Sequence, residues 1–150
     1  MSKFEDDVKK FNKMYDMPDM LTTRSPSLWH CRLKQFRDIL FEEFLELDDV
    51  LRRLYGAEAD GYKTDIECLT ELADFLGDMQ VYCASEMVKF GIPVDGTLSL
   101  IMESNFSKLT ADGSVIKDAR GKVMKGPGYW KPEPAIKDLL ETIHKPKGKE

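Results

Sequence analysis

Two pairs of acidic residues, the members of each pair three positions apart, are the residues best placed to do chemistry. Glu43 and Glu46 lie in one predicted helix, and Glu71 and Asp74 lie in the next, with Asp78 one turn later. Residues three, four and seven apart share a helix face, so each helix offers a stripe of carboxylates. A hard divalent cation between the stripes would remove their mutual repulsion, because Mg²⁺ prefers carboxylate oxygens. The spacing alone is equally consistent with two acidic faces turned to water.

The helices that would carry these carboxylates are predicted from apolar residues at helical spacing and from capping signals. A capping box at the start of the third helix and a glycine at its end mark its limits. The predicted helices are Phe4–Met14, a second from a cap at Ser25 or Ser27 to Gly56, then Thr64–Gly91, Pro93–Leu109 and Pro134–His144.

The character of the chain changes after the fourth helix. Val115–Ile116 and Val123–Met124 flank a turn-rich stretch, which predicts a small β-hairpin. A loop rich in glycine and proline follows, with Tyr129 and Trp130 adjacent in it. Because the sequence has no internal repeat and no alternating βαβ pattern, the predicted fold class is all-α: a bundle of four to five helices with a small β-hairpin or loop near the C-terminus.

Length and composition limit the classes of function. The 150 residues fit one domain, 1–150, with a frayed tail at 145–150. A net charge of −5 argues against a nucleic-acid backbone as the main partner. No apolar run is long enough to span a membrane, and the N-terminal residues lack the apolar run typical of a signal peptide. The three cysteines have no C-x-x-C spacing, so we expect reduced thiols and a cytoplasmic protein.

The position of the glutamates on the second helix favours a metal site over a solvated face. Measured from Leu40 in the apolar stripe, Glu43 lies about 60° and Glu46 about 120° around the helix, whereas Glu42 lies about 160° away. Glu43 and Glu46 therefore border buried surface, where an unpaired carboxylate is costly. The third helix is apolar almost all round in its C-terminal half, which predicts burial against a partner helix or a second subunit.

The types of ligand indicate the metal. Neither acidic pair is part of a Glu-x-x-His, the motif of di-iron bundle sites, which occurs once, at Glu141–His144 in the last predicted helix, and no spacing is typical of zinc ligands. An all-carboxylate cluster suits Mg²⁺ or Mn²⁺. There is no P-loop and no G-x-G-x-x-G, and neither His30 nor His144 lies in a nucleophile motif.

Four segments in this order resemble the all-α nucleoside triphosphate pyrophosphohydrolases, which include MazG-like proteins, dimeric dUTPases and phosphoribosyl-ATP pyrophosphohydrolases. Residues 40–47, LFEEFLEL, resemble the first motif of that family, and residues 71–78, ELADFLGD, resemble the second. Residues 103–109 and 121–130 resemble a MazG-like subgroup. The resemblance covers residues 3–135.

This resemblance implies cleavage of a (deoxy)nucleoside triphosphate between its α and β phosphates, which gives the monophosphate and pyrophosphate and clears unwanted nucleotides. It implies Mg²⁺, with Mn²⁺ as an alternative, and either Glu43 or Glu46 as the catalytic base. The implied metal ligands are Glu43, Glu46, Glu71 and Asp74, with Asp78 in addition. Two registers of the second motif are possible, so either aspartate could be the principal ligand.

The resemblance also implies how the substrate is held. Lys122 and Lys125 would close over the phosphates on a mobile loop. The implied substrate-binding residues are Asn105, Lys108, Lys122, Lys125, Tyr129 and Trp130. The family and the apolar third helix both imply a homodimer or higher homo-oligomer. Two alternatives stay open: phosphoribosyl-ATP hydrolysis, and a helical interaction module that has lost activity.

Overall fold

The computed structural model describes residues 2–59 and 66–145, and five helices lie within them. They are α1 (Lys3–Met14), α2 (Pro26–Ala59), α3 (Ile66–Lys89), α4 (Val94–Phe106) and α5 (Pro132–His144). The predicted all-α fold class is confirmed. Over these two ranges, no helix is long and apolar enough to cross a membrane.

The chain divides into two compact units. The three-helix unit, residues 3–91, contains α1, α2 and α3. The C-terminal unit contains α4 and α5 and the segment that joins them. That residues 1–150 form a single domain stays a prediction.

The helix limits differ from prediction where local signals compete. Pro26 takes the first position of α2, where its missing N–H costs nothing, and Ser25 precedes it. The helix continues through Gly56 to Ala59, so the predicted stop at Gly56 is wrong: one glycine costs a helix interior only about 1 kcal/mol. The predicted cap at Thr64 lies outside the described residues. Gly91 follows α3 with a φ of 63°, the left-handed conformation expected of a glycine stop.

Polar side chains tie α1 to α3. Asn12 donates a hydrogen bond from Nδ2 to the Ser85 carbonyl at 2.9 Å, and the Ser85 hydroxyl donates to Asn12 Oδ1 at 2.6 Å. Both residues are buried, and Val8 packs one turn before Asn12 on the same face. Because buried amide and hydroxyl groups need partners, this reciprocal pair fixes the register between the two helices.

The faces of α2 and α3 that pack against each other are not the faces that the apolar pattern predicts. On α2, Glu43 and Val50 are buried, while Phe44 and Leu51 of the predicted stripe are 46% and 53% exposed. On α3, Phe75 is buried. The predicted inner side of α3 carries three exposed residues, Leu69, Leu76 and Cys83. Glu43 of the acidic face of α2 is therefore buried while Glu46 and Asp74 stay exposed, and much of the apolar surface of α2 and α3 also turns outward.

An aromatic contact lies near the end of the three-helix unit. Trp29 on α2 packs edge-on against Phe90, with 5.1 Å between the ring centroids. Its indole N–H donates to the Met20 carbonyl at 2.9 Å, and the Met20 N–H donates to the Lys89 carbonyl at 2.8 Å. These bonds hold the α1–α2 connection against the C-terminal end of α3.

In the C-terminal unit, the predicted hairpin forms as a tight turn. An antiparallel bridge joins Lys117 and Val123, and the Met124 N–H donates to the Ile116 carbonyl at 2.7 Å. Asp118 Oδ1 closes the turn by accepting from the N–H groups of two later residues in it. The described part of the chain contains a bridge here instead of two strands.

The base of this turn is fastened to the end of α4. The Gly126 N–H donates to the Lys108 carbonyl at 2.9 Å, and a Cβ at position 126 would lie 2.6 Å from that same oxygen. Ser104 donates to the Trp130 carbonyl at 2.8 Å, and Ser107 accepts from the Trp130 N–H at 3.2 Å. Only glycine fits at this close approach, so the loop begins and ends at fixed points.

We expect Asn12→Ala to lower the free energy of unfolding by about 1–3 kcal/mol, because it leaves buried Ser85 groups without partners. Urea denaturation followed by circular dichroism measures the change. Lys13→Ala on the exposed side of α1 is the matched control and should have little effect. Equal denaturation midpoints for the two variants would contradict the proposed role of this pair.

Candidate functional site

The facing sides of α2 and α3 enclose a cleft of about 190 Å³. Four of its lining side chains are carboxylates and one is a guanidinium. The acidic cleft is lined by Glu46, Asp49, Val50, Arg53, Glu71, Asp74 and Phe75. Three predicted ligands, Glu46, Glu71 and Asp74, are thus brought together from two helices.

Asp49 and Arg53 are the lining residues that the sequence analysis missed. They follow Glu46 on α2 by three and seven positions, and hence share its helix face. That spacing was the available signal. It was obscured because the charges after Glu46 are typical of a solvated helix surface.

Glu43 lies beside the acidic cleft and does not line it. The residue is only 8% exposed, and its Oε2 is buried with no hydrogen-bond partner among the residues that the structure describes. Burial raises the pKa of Glu43 above its ordinary value of 4.5, a hydrogen bond with Tyr82 opposes this, and the charges of Glu46 and Asp78 raise the pKa further. All five predicted ligands are therefore near the α2–α3 interface.

Tyr82 is a further residue that the sequence analysis missed. Burial, and then the negative charge of Glu43, raise the pKa of its hydroxyl above 10.0. The hydroxyl therefore stays protonated at neutral pH and remains able to donate to Glu43. Tyr82 lies four residues after Asp78, one turn further along α3.

Arg53 forms an ion pair with Glu71 across the cleft. No three Asp, Glu, His or Cys side chains within residues 2–59 and 66–145 are grouped closely enough to hold a metal ion. The donors are nevertheless of the type that Mg²⁺ takes, because all are carboxylate oxygens and Glu43 Oε2 has no hydrogen-bond partner among the described residues. The donor types fit the ion, and Arg53 supplies a positive charge at the same place.

The predicted substrate-binding residues lie in the C-terminal unit. Lys108 donates from Nζ to Asn105 Oδ1 at 2.6 Å, so these two side chains meet as their spacing predicts. Lys125 lies over the Tyr129 ring, with 4.6 Å from Nζ to the centroid. Lys122 is exposed in the turn. The half-buried Trp130 helps to fasten the loop to α4 through its backbone bonds to Ser104 and Ser107.

The class of fold is an all-helical bundle in which carboxylates of two long helices lie on either side of a cleft. The sequence matches no family model and no curated protein. The structure is similar to a crystal structure described as a "putative NTP pyrophosphohydrolase" from Exiguobacterium sp. 255-15. The TM-score is 0.54 at 18% sequence identity, over 98% of this chain and 99% of that chain. At this identity the similarity shows that the two proteins share a fold.

We expect Glu43→Gln to raise the melting temperature of the metal-free protein by a few degrees at pH 7. The raised pKa means that the folded state binds more protons than the unfolded state above pH 4.5. The stability that protonated Glu43 contributes is thus present at low pH and is lost as the pH rises through its folded-state pKa. The melting temperatures of the wild-type protein and of Glu43→Gln should therefore differ more at pH 7 than at pH 4.

The matched control is Glu42→Gln, which removes a charge from the exposed position next to Glu43. It should shift the melting temperature less than Glu43→Gln does. If Glu43→Gln lowers the melting temperature at pH 7, Glu43 does not carry the unfavourable charge described above.

Proposed function

We propose that this protein hydrolyses nucleoside triphosphates, including deoxynucleoside triphosphates, to the monophosphate and pyrophosphate in the presence of Mg²⁺ or Mn²⁺. The observation that carries the proposal is the acidic cleft, in which carboxylates from α2 and α3 meet within this fold. The protein described as a "putative NTP pyrophosphohydrolase" shares the fold. Removal of unwanted nucleotides in the cytoplasm is the role that this reaction would serve.

The ligands in this proposal are Glu43, Glu46, Glu71, Asp74 and Asp78. When bound, the ion supplies positive charge against the phosphate oxygens and lowers the pKa of a bound water. Arg53 must release Glu71 for that carboxylate to serve as a ligand, and the freed guanidinium can then pair with a phosphate, whose oxygens match its planar geometry. Asp49, which lines the same cleft, is paired with Arg52.

Glu46 is better placed than Glu43 to be the catalytic base. A base must reach the water whose proton it takes, and Glu46 is exposed and lines the cleft. Glu43 is buried beside Tyr82. In this proposal Glu43 therefore holds and orients the metal ion, while Glu46 accepts the proton of the attacking water.

The family resemblance implies that Asn105, Lys108, Lys122 and Lys125 contact the phosphates. Lys108 and Lys125 present ammonium groups, each held by a partner within that unit, and Lys122 adds a third on the exposed turn. Ammonium groups pair with phosphate oxygens through charge-assisted hydrogen bonds. Asn105 positions Lys108, and Tyr129 positions Lys125.

One observation favours a second candidate, a helical module without activity. The Arg53–Glu71 pair already neutralises part of the cleft, as an ion pair retained for stability would. The two candidates differ in whether Mg²⁺ binds and whether pyrophosphate is released.

We expect chelation to abolish pyrophosphate release from a panel of nucleotides. Glu46→Gln should lower the turnover number by about 10²- to 10⁴-fold, the usual contribution of a general base. Glu71→Gln should also lower it strongly, and circular dichroism should show that both variants fold. Glu42→Gln, on the exposed side of α2, is the control and should retain full activity. Full activity of Glu46→Gln, or activity in excess chelator, would remove the basis for this proposal.

We also propose that the chain forms a homodimer through the apolar surface of α2 and α3. Phe44, Leu51 and Tyr55 share one stripe of α2, and Leu69 and Leu76 share one of α3, and all five are between 46% and 82% exposed. Large exposed apolar patches usually mark interfaces.

Light scattering at micromolar concentration should give the mass of a dimer, and Leu69→Glu should shift it toward the monomer. Val115→Glu, at an apolar residue of similar exposure in the C-terminal unit, is the control and should leave the mass unchanged. A monomeric wild-type protein would refute the dimer.

A further inference from the structure

A second cavity lies in the three-helix unit, with a volume of about 140 Å³. It is lined by residues of α1, α2 and α3 together with Met17. Phe11, Phe36 and Tyr82 supply aromatic rings. Phe11 and Met17 are 38% and 36% exposed, and they are the most exposed of the lining residues, so the cavity reaches solvent beside them. We call it the aromatic cavity.

The size of the aromatic cavity matches a single six-membered ring. An apolar cavity of about 150 Å³ binds benzene. A pyrimidine base has one such ring with small substituents, whereas a purine has two fused rings. Ring faces also suit aromatic side chains, which stack on bases or meet them edge-on.

The polar end of the cavity carries an excess positive charge. Arg32 donates to Glu86 from Nε at 2.7 Å and through a second bond from a terminal nitrogen at 2.5 Å. Lys89 donates to the same carboxylate at 3.1 Å. The Lys89 and Glu86 side chains are each 6% exposed, and the Arg32 side chain is 13% exposed. Two cations thus share one anion in a largely buried place.

The ammonium group of Lys89 can donate more hydrogen bonds than it makes to the described residues. An ammonium group has three donors, and among the described residues the side chain of Lys89 makes one hydrogen bond, to Glu86. Buried donors without acceptors are costly. A carbonyl oxygen on a ring seated in the cavity would accept from Lys89, and every natural pyrimidine base carries one at position 2.

The aromatic cavity and the acidic cleft are both lined by α2 and α3. Tyr82 of α3 lines the cavity and lies four residues after Asp78. Ile39 also lines it, and Glu46 is seven residues, or about 10 Å, further along α2 by the rise of a helix. A nucleotide can span that distance, with its base in the cavity and its phosphates at the cleft.

We propose that the aromatic cavity is the base-binding subsite and that it selects pyrimidine over purine nucleotides. This proposal rests on the proposed function, because it places the base of the same substrate. Lys89 recognises the ring carbonyl, the aromatic side chains contact the ring, and the limited volume excludes the second ring of a purine.

The first test measures binding without catalysis. Titration calorimetry in chelator compares cytidine and uridine monophosphates with adenosine and guanosine monophosphates. We expect the pyrimidine nucleotides to bind at least about tenfold more tightly, and Lys89→Met to weaken their binding about tenfold, the equivalent of one lost hydrogen bond to a charged group. Lys10→Met, at an exposed position of α1, is the control. Equal binding of all four nucleotides, or no effect of Lys89→Met, would overturn the proposal.

The second test separates this proposal from the proposed function. Phe36→Trp should fill the cavity and raise the Michaelis constant for pyrimidine triphosphates while Mg²⁺ binding is unchanged. If pyrophosphate is released from purine and pyrimidine triphosphates with equal Michaelis constants, the subsite is wrong and the proposed function stands. If the pyrimidine monophosphates bind selectively and no triphosphate is hydrolysed, the proposed function is wrong and the cavity remains a pyrimidine site.

Discussion

Compensation of negative charge between α2 and α3 is the constraint on which the three-helix unit depends. Carboxylates from both helices face each other, and in a confined space their repulsion is several times stronger than in water. Arg53 offsets part of it by pairing with Glu71. Glu43 Oε2 stays buried without a hydrogen-bond partner among the described residues.

The polar contacts elsewhere in this unit keep the repelling faces together. Asn12 and Ser85 fix α1 against α3, and the bidentate pair of Arg32 and Glu86 fixes α2 against α3. A hydrogen-bonded pair of this kind specifies a register more sharply than apolar contact, because a small displacement breaks it. The register matters because it decides which residues of α2 and α3 line the acidic cleft together.

Much of the fold could be predicted from the sequence, but the packing of its helices could not. The existence of α1 and α3 followed from periodicity, and Gly91 ended α3 as its conformation requires. The apolar pattern of α2 did not identify the inward face, because a stripe such as Phe44 and Leu51 looks the same whether it packs within one chain or against another. Asp49 and Arg53 were missed for the related reason that interfacial charges have the same spacing as solvated ones.

The chain has two tryptophans, and each belongs to a different unit. Trp29 lies against Phe90, next in sequence to Lys89 of the aromatic cavity, whereas the backbone of Trp130 is fastened to the end of α4. Replacing either one with phenylalanine leaves a single tryptophan, so the tryptophan fluorescence then comes from one unit alone. The protein thus carries built-in spectroscopic reporters that can reveal whether its two halves melt together or in sequence.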